Sequence, residues 1–155
     1  MEMNKTVSNP MLVGAIALLK AENTPEHNKL FTEEMLKSQF LSPVIITPAP
    51  TVDEEGKMQL TKESKIQFPM LSAKDGKNYF MAFSDKEEFE SWAKGKETQS
   101  CALQFEEYAA MVMREDTNAG GFVINPFGGN LIVSKENIGR LMAAKMAAAK
   151  ANQEI

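Results

Sequence analysis

The sequence predicts an α+β fold in which a mixed, mostly antiparallel sheet of about five or six strands is covered by helices. Short β-branched and aromatic runs alternate along the chain with segments that begin in helix caps. Asp75-Gly76 separates two such runs and is typical of a β-hairpin turn. The chain has 155 residues and is 43% apolar, enough for one domain, residues 1–155, with a core that needs no disulfide or metal.

Two helices are predicted to precede the first strand. Asn9 and Pro10 are typical of an N-cap and a first helical position, and a mostly apolar helix follows over residues 10–22. Thr24 and Pro25 repeat that pattern and start the second helix. Its apolar residues recur at a spacing that predicts one buried face.

The apolar run over residues 11–19 also resembles the hydrophobic region of a signal peptide. Lys20 and Glu22 follow it closely, however, and no small-residue cleavage site of the A-x-A kind is present. The run is also far too short to span a bilayer. We therefore interpret it as an ordinary helix, and we expect a cytoplasmic protein without membrane contact.

A strand and a polar segment follow the two helices. Residues 42–50, SPVIITPAP, predict a β-branched strand that is ended by prolines. Residues 51–65 are the most polar stretch of the chain, and Glu55-Gly56 within them is typical of an exposed turn. We expect this segment to lie in solvent.

From residue 66 onward, apolar runs and capped segments alternate regularly. Strands are indicated by β-branched and aromatic residues, and helices by a polar cap before an apolar period of 3.6 residues. The expected strands are residues 66–73, 78–83, 100–105, 121–125 and 130–134. The expected helices are residues 84–95, residues 106–115 and a last helix that starts after Ser134.

The first of these helices carries signals at both ends. Ser84 and Glu87 have the spacing of a capping box, and Gly95 is typical of the residue that ends a helix. Phe89 and Trp92 lie three residues apart and therefore on one face. We expect both rings in the core.

The last helix ends in an Ala- and Lys-rich tail, residues 142–155, with high helix propensity. One interpretation is a solvated tail that frays at its end. The other is a docking surface through which the C-terminal helix forms a homo-oligomer. The apolar residues available for such a surface are Ile138, Leu141, Met142 and Met146.

The stretch GGFVINPFGGN, residues 120–130, raises the question of a phosphate-binding loop. Such a loop needs glycines between a strand and a helix, and neither G-x-G-x-x-G nor Gly-Lys-Ser/Thr is present. Here the glycines lie between two apolar runs that are typical of strands. The sequence therefore predicts a hairpin loop in which Pro126 sets the first turn, a glycine takes a positive φ, and Asn125 bonds its own backbone.

Asn125, Pro126, Phe127 and Gly128 are the candidate binding residues of this loop. Phe127 is the reason, because an aromatic ring at a hairpin tip is costly to leave in water unless it packs or binds. Two arrangements are open at this point. The ring either folds back over the core, which is the commoner outcome, or contacts a partner.

Composition argues against several classes of function. The net charge is −4 and only two of the 17 basic residues are arginines, so nucleic-acid binding is not expected. The single histidine and the single cysteine cannot form a zinc site of the usual Cys/His kind without several carboxylates. Neither lies in a recognisable catalytic arrangement. We therefore predict no catalytic residue, no metal and no cofactor.

Other chemically notable residues have ordinary structural interpretations. His27 is expected to be a solvated surface histidine. Cys101 lies among apolar neighbours, without a basic group to lower its pKa, and is expected to be an inert core thiol. The acidic run from Asp85 to Glu90 is expected to form the start of a helix, where acids favour the helix dipole, rather than a cation site.

The order of motifs over residues 66–141 resembles the N-terminal domain family of the enhanced serine sensitivity protein B, SseB. The motifs are FPML, DGK, YFMAFSDKEEFESW, LQFEEY and GGFVINPFGGNLIVSKENIGRL. The resemblance implies the α+β fold and a cytoplasmic location. The family name records a phenotype and supplies no catalytic residues, so the resemblance implies no reaction.

The function expected from these observations is that of a non-enzymatic protein-binding or adaptor module with an unidentified protein partner. Such a partner would meet the sheet edge or the loop at Asn125. The alternative is a metabolite sensor or small enzyme with a pocket between the sheet and the helices. Its candidate polar contacts are Tyr79, Tyr108, Arg114 and Asn125.

Overall fold

The structure is a computed structural model that describes residues 2–47, 51–52, 54–55, 58–59, 65–96, 98–115 and 117–153. The helices are α1 (Pro10–Ala21), α2 (Pro25–Lys37), α3 (Lys86–Ala93), α4 (Phe105–Val112) and α5 (Lys135–Gln153). The first strands are β1 (Glu2–Met3), β2 (Gln39–Thr47), β3 (Thr51–Val52), β4 (Met58–Gln59) and β5 (Lys65–Gln67). The others are β6 (Met70–Ser72), β7 (Asn78–Ala82), β8 (Gln99–Gln104), β9 (Ala119–Ile124) and β10 (Leu131–Ser134).

The α+β fold class is confirmed. The main strands form two four-stranded sheets, in the orders β1-β8-β2-β5 and β10-β9-β7-β6, rather than one sheet of five or six. The first sheet is antiparallel, and the second is mixed because β7 and β9 run parallel. An isolated bridge joins the two sheets, where Leu41 and Phe83 exchange backbone hydrogen bonds of 2.9 and 2.8 Å.

The strand predicted over residues 66–73 is wrong in one respect, because it divides at Phe68 and Pro69. Its first part, β5, pairs with β2 in the first sheet, and its second part, β6, pairs with β7 in the second. Pro69 has no backbone N–H to give to a ladder, which suits a position where the chain passes from one sheet to the other. The Asp75-Gly76 turn between β6 and β7 is confirmed, with Gly76 at a φ of 82°.

Alternate strand residues face two separate apolar clusters, as the pleat of a strand requires. Phe40 and Phe80 lie in the larger cluster, which is covered by α1, α2, α4 and α5. Leu41 and Met81 lie in the smaller cluster, which α3 covers through Phe89 and the partly buried Trp92. The core positions predicted for the two α3 rings are therefore confirmed.

One predicted helix cap is confirmed in position and another is wrong. Asn9 occupies the N-cap position of α1, but its side chain makes no capping bond; its Nδ2 donates instead to the backbone oxygens of Gln39 and Ser84, at 2.8 and 2.7 Å. The cap of α3 is Asp85, whose Oδ1 accepts from the Glu88 N–H at 2.9 Å, rather than Ser84. In both cases a side chain that could have capped a helix is used for a contact between elements that are distant in sequence.

The ends of several elements follow the expected signals. Ser134 caps α5 by accepting from the Asn137 N–H, and Gly95 follows α3 with a φ of 78°. Helix α5 reaches Gln153, and its side chains from 143 to 148 are exposed, as expected for a solvated tail. Gly56 and the prolines at 48 and 50, which the sequence analysis placed at a turn and a strand end, lie outside the described residues.

Candidate functional site

The hairpin loop predicted at residues 125–130 is confirmed between β9 and β10. Two asparagines close it: the Asn130 N–H donates to the Asn125 carbonyl oxygen at 2.8 Å. Both lie in the left-handed region, with φ values of 50° and 48°. The glycine expected to take a positive φ in this loop does not do so, because asparagine, which tolerates that region better than most residues, occupies both positions.

The side chain of Asn125 connects the loop to the start of α3. Asn125 is 4% exposed; its Oδ1 accepts from the Ser84 N–H and its Nδ2 donates to Ser84 Oγ, both at 2.9 Å. The predicted bond from this side chain to its own backbone is not the one it makes. Ser84 directly precedes the α3 cap, so these two bonds hold the loop and α3 in one arrangement.

Phe127 lies in solvent at the tip of this loop. It is 67% exposed and does not fold back over the core. Pro126 before it is half-buried. A side chain added at Gly128 would meet the Glu88 carboxylate, whose oxygens lie 2.9 and 3.0 Å from the Cβ position. The loop therefore approaches α3 closely at the Glu88 carboxylate, while the neighbouring Phe127 ring is exposed.

Helix α1 presents an outer face without charge. Leu12, Ala15 and Ile16 are buried, whereas Met11 and Leu18 are 66% and 45% exposed. Val13, Gly14 and Ala17 complete the exposed side, which we name the α1 outer face. A side chain at Gly14 would meet nothing within 4 Å. Surface helices ordinarily turn polar residues to solvent, so an apolar outer face indicates a surface that another molecule covers.

A groove runs between α1 and α3, and we name it the α1–α3 groove. Its first section, about 700 Å³, has Val7, Pro10 and Val13 on one side and the α3 residues Glu87 and Glu90 on the other. The backbone bond from the Lys86 N–H to the Val7 oxygen, 3.3 Å long, ties its two sides together. Both sides are thus fixed relative to each other.

The second section of the groove, about 490 Å³, meets the first at Val13 and reaches the hairpin loop. Ile16, Ala17 and Lys20 of α1 form one wall, and Glu88 and the loop backbone form the other. Lys20 Nζ donates to the Asn130 carbonyl oxygen at 3.1 Å, which holds the end of the loop against α1. The loop that carries Phe127 therefore borders the same groove as the α1 outer face.

The electrostatic character of the groove is set by α3. Glu87, Glu88 and Glu90 line it, with Lys86 as the cation on that side. Lys86 pairs with Glu90 at 3.8 Å, both side chains being exposed. Within the described part of the chain, Glu87 and Glu88 form no ion pair. The groove therefore combines an apolar wall with an acidic wall.

The polar groups considered for a metabolite pocket do not converge on one site. Tyr108 is fully buried, donates to the Met81 oxygen at 2.9 Å, and burial raises its pKa well above the ordinary value. Tyr79 donates to Asp75 at 2.7 Å across the hairpin turn, and this bond raises the pKa of Tyr79 and lowers that of Asp75. Arg114 lines a different surface depression from either.

Cys101 lies in the core as expected, whereas His27 is half-buried rather than fully solvated. Cys101 is fully buried, and burial, with a smaller contribution from the Glu107 carboxylate, raises its pKa to about 11. His27 Nδ1 lies 2.7 Å from the Glu22 backbone oxygen near the start of α2. Among the residues that the structure describes, no three His, Cys, Asp or Glu side chains are grouped so that they could hold a metal ion.

Comparison with known proteins identifies the family. The model of the SseB protein N-terminal domain matches residues 12–138, most of the chain. The chain belongs to the SseB family. No curated protein and no solved structure gives a significant match.

The SseB match begins in α1 and ends in the first turn of α5. It therefore includes the α3 wall of the groove, the α1 wall from Val13 onward and the whole hairpin loop, whereas Val7 and Pro10 precede it. Most of α5 lies beyond the SseB match. No helix in the described part of this SseB-family chain combines the length and apolar character that crossing a membrane requires.

Sequence reasoning identified the SseB loop but missed the rest of the site. Ser84 was assigned to a helix cap, and the outer face of α1 was not considered as a surface. A signal for that face was present, because residues 10–19 contain no charged side chain, and one helix face alone can be buried against a sheet. The position of Glu88 beside Gly128 had no such signal, since it depends on long-range packing.

Proposed function

We propose that this chain is a non-enzymatic protein-binding module of the cytoplasm, folded as one domain over residues 1–155. The observation that carries the proposal is the α1 outer face, an apolar surface beside a loop that displays an exposed phenylalanine. Monomeric proteins rarely leave a contiguous apolar surface of this kind in water unless it serves binding. The contact proposed for Asn125, Pro126, Phe127 and Gly128 is with a protein partner.

The energetics favour a macromolecular partner. Met11 and Phe127 each leave about two-thirds of their surface in water, and Val13 and Leu18 more than two-fifths. Complete burial of such a side chain is worth about 1.5–3 kcal/mol. A partner that covers all four side chains therefore gains several kcal/mol from apolar burial, which offsets part of the entropy lost on association.

The loop is suited to act as a rigid anchor. Asn125 is held by two hydrogen bonds to Ser84, and the Lys20 ammonium holds the Asn130 carbonyl. An aromatic side chain on a preorganised loop loses little conformational entropy when it binds. Aromatic anchors of this type often contribute a large share of the energy of an interface.

The proposal is tested with Phe127→Ser and a matched control, Met146→Ser. The two side chains are 67% and 69% exposed, so neither change should alter the free energy of unfolding by more than about 0.5 kcal/mol. In a pull-down from extracts of the source cells, the immobilised wild type and the Met146 variant should retain partner proteins, and the Phe127 variant should not retain them. Equal retention by all three would contradict the proposal, as would a large loss of stability in Phe127→Ser.

The C-terminal helix is less suited to homo-oligomer formation than the sequence suggested. Ile138 is fully buried in the larger cluster, and Leu141 and Met142 pack against it. Met146 is the member of the set that remains exposed. Three of the four residues therefore already have an intramolecular role.

A metabolite sensor is the second candidate, favoured by a pocket of about 320 Å³ between β10, α2 and α5. Its apolar lining includes Phe31, Met35 and Leu141, and Asn137 and Arg140 stand among its polar groups. A volume near 300 Å³ is at the lower end for small-molecule sites. A thermal-shift screen of amino acids, nucleotides and organic acids tests this candidate. A ligand whose stabilisation is lost in Thr32→Phe, which places a larger side chain at the half-buried rim of the pocket, would favour the sensor over the binding module.

A further inference from the structure

We propose that the α1–α3 groove binds a basic, amphipathic helical segment of a partner protein. The apolar side of that segment would lie on the α1 outer face, and its Lys and Arg side chains would face the acids of α3. This inference rests on the proposed protein-binding function and adds the chemistry of the partner.

The apolar wall defines one side of the ligand. Pro10, Val13 and Ala17 follow one another at intervals of three and four residues along the side of α1 that lines the groove, so they form a continuous stripe. Gly14 leaves a gap beside that stripe, between Pro10 and Ala17, because a side chain there would meet nothing within 4 Å. A helix can approach the α1 backbone closely at that gap.

The acidic wall defines the opposite side of the ligand. Glu87 and Glu88 form no ion pair with the described residues, and the Glu90 carboxylate is held by Lys86 only at 3.8 Å. Asp85 is already committed to capping α3. A segment with Lys or Arg on one side would therefore meet carboxylates that have no other strong partner, which gives charge complementarity across the groove.

The length of the groove favours a short helix. Helix α1 has 12 residues, which corresponds to about 18 Å, or three turns. Amphipathic helices commonly bind in grooves of this length through apolar residues spaced three and four apart. A partner segment of about 12–16 residues would cover the stripe from Pro10 to Ala17.

Charge distinguishes this ligand from other occupants. An anionic bilayer would be repelled by the α3 acids beside the apolar stripe. A second copy of the chain would bring another α3 with the same acids and another net charge of −4. Binding of a basic segment is favoured by the same carboxylates that disfavour an anionic bilayer and a second copy of the chain.

The test uses two synthetic 16-residue helical peptides with the same leucine stripe, one with lysine and one with glutamate at all other positions. Binding is measured by fluorescence anisotropy with the full chain. The lysine peptide should bind at least tenfold more tightly than the glutamate peptide, and its affinity should fall as salt is raised. Equal binding of the two peptides would overturn the inference.

Variants locate the binding on the groove. Glu87→Gln combined with Glu90→Gln should weaken the affinity for the lysine peptide at least fivefold. Glu33→Gln combined with Glu115→Gln removes the same charge from exposed acids that do not line the groove, and should leave the affinity unchanged. Equal weakening by both pairs would mean that net charge alone attracts the peptide, which would overturn the site.

Gly14→Arg blocks the apolar wall without disturbing the packing of the chain itself. Its side chain extends into open space, so circular dichroism and the melting temperature should remain those of a folded protein. Binding of the lysine peptide should be lost. Full binding of the lysine peptide by this variant would overturn the assignment to α1. Two other results would also overturn it: flotation of the wild type with phosphatidylcholine–phosphatidylglycerol vesicles, or a wild-type dimer that Gly14→Arg dissociates.

Failure of this inference can be told apart from failure of the proposed function. If the lysine peptide does not bind but partner retention still depends on Phe127, the groove assignment is wrong and the protein-binding function stands. If retention is also independent of Phe127, both are wrong.

Discussion

At the scale of single residues, the hairpin loop depends on two asparagines with similar backbone conformations and different side-chain surroundings. Asn125 and Asn130 have φ values within 2° of each other. Asn125 is buried against Ser84, whereas Asn130 is exposed and its side chain makes no hydrogen bond among the described residues. Comparing the two residues therefore separates the contribution of backbone conformation to the free energy of unfolding from that of the buried hydrogen bonds.

Asn125→Ala should lower the free energy of unfolding by about 2–4 kcal/mol, because it adds left-handed strain and leaves the buried Ser84 N–H without its acceptor. Asn130→Ala adds similar backbone strain alone and should cost about 1 kcal/mol. Urea denaturation of both variants measures the difference. Equal losses would mean that the bonds to Ser84 contribute little to stability.

Cys101 should behave as a thiol that is protected by folding. Because its pKa is raised to about 11 in the folded chain, the unfolded chain releases the thiol proton first as pH rises above about 9. The stability of the wild type should therefore fall between pH 9 and 11 more steeply than that of Cys101→Ala, which lacks this group. Tyr108, whose pKa is raised in the same direction chiefly by its own burial, contributes to the pH dependence of both proteins.

The measurement is the free energy of unfolding in urea at several pH values, together with the rate of labelling by an aromatic disulfide reagent at pH 8. Labelling should follow the opening of the fold, since the thiol is fully buried. Rapid labelling of the native chain would contradict the burial of Cys101.

At the scale of elements, two glycines differ in the space that surrounds them. Gly121 in β9 has a φ of 143°, and a Cβ there would lie 2.0 Å from the Val133 carbonyl oxygen of β10. Gly14 in α1 has open space around it. The first glycine permits two strands to pair, whereas the second is not required by packing within the chain and lowers the propensity of its helix.

Gly121→Ala should therefore destabilise the chain by about 3 kcal/mol or more, because β10 has to move away from β9. Gly14→Ala should stabilise it by about 0.5–1 kcal/mol through helix propensity. Differential scanning calorimetry of the two variants gives the melting temperatures. Opposite signs are expected, and a destabilised Gly14→Ala would show that α1 is constrained by contacts other than those described.

The helices and longer strands could be predicted because their signals are local. Pro10, Pro25, Ser134 and Gly95 mark boundaries that the structure confirms within one or two residues. The two-residue strand β1 could not be predicted, since a strand this short has no periodicity and depends on its pairing with β8. The exposure of Phe127 had no local signal either, because it follows from where the Asn125 side chain is held.

At the scale of the whole molecule, the two sheets share both apolar clusters. The larger cluster contains Phe40 of the first sheet and Phe122 of the second, with ring centroids 6.3 Å apart. The smaller cluster contains Leu41 of the first sheet and Met81 of the second. The division into two sheets therefore does not create two independent cores, and it could not be predicted from sequence because it depends on the long-range bridge and on Pro69.

This sharing predicts one cooperative unfolding transition. Trp92 fluorescence reports the smaller cluster, and far-ultraviolet circular dichroism reports chiefly the helices that cover the larger one. In urea, the two signals should give the same midpoint within error, as expected for a two-state chain of this size. Separate midpoints would show that the sheets unfold independently.

The closure of the hairpin loop has a practical consequence for engineering. Asn125 and Asn130 are joined by a backbone hydrogen bond, and the strand register continues directly from Ile124 and Leu131. The four residues between the asparagines can therefore be exchanged for other sequences while the two ends stay in place. Libraries of loops grafted between them would turn this fold into a scaffold for selecting new binders, and at position 128 the flexible Glu88 side chain can move to admit a new side chain.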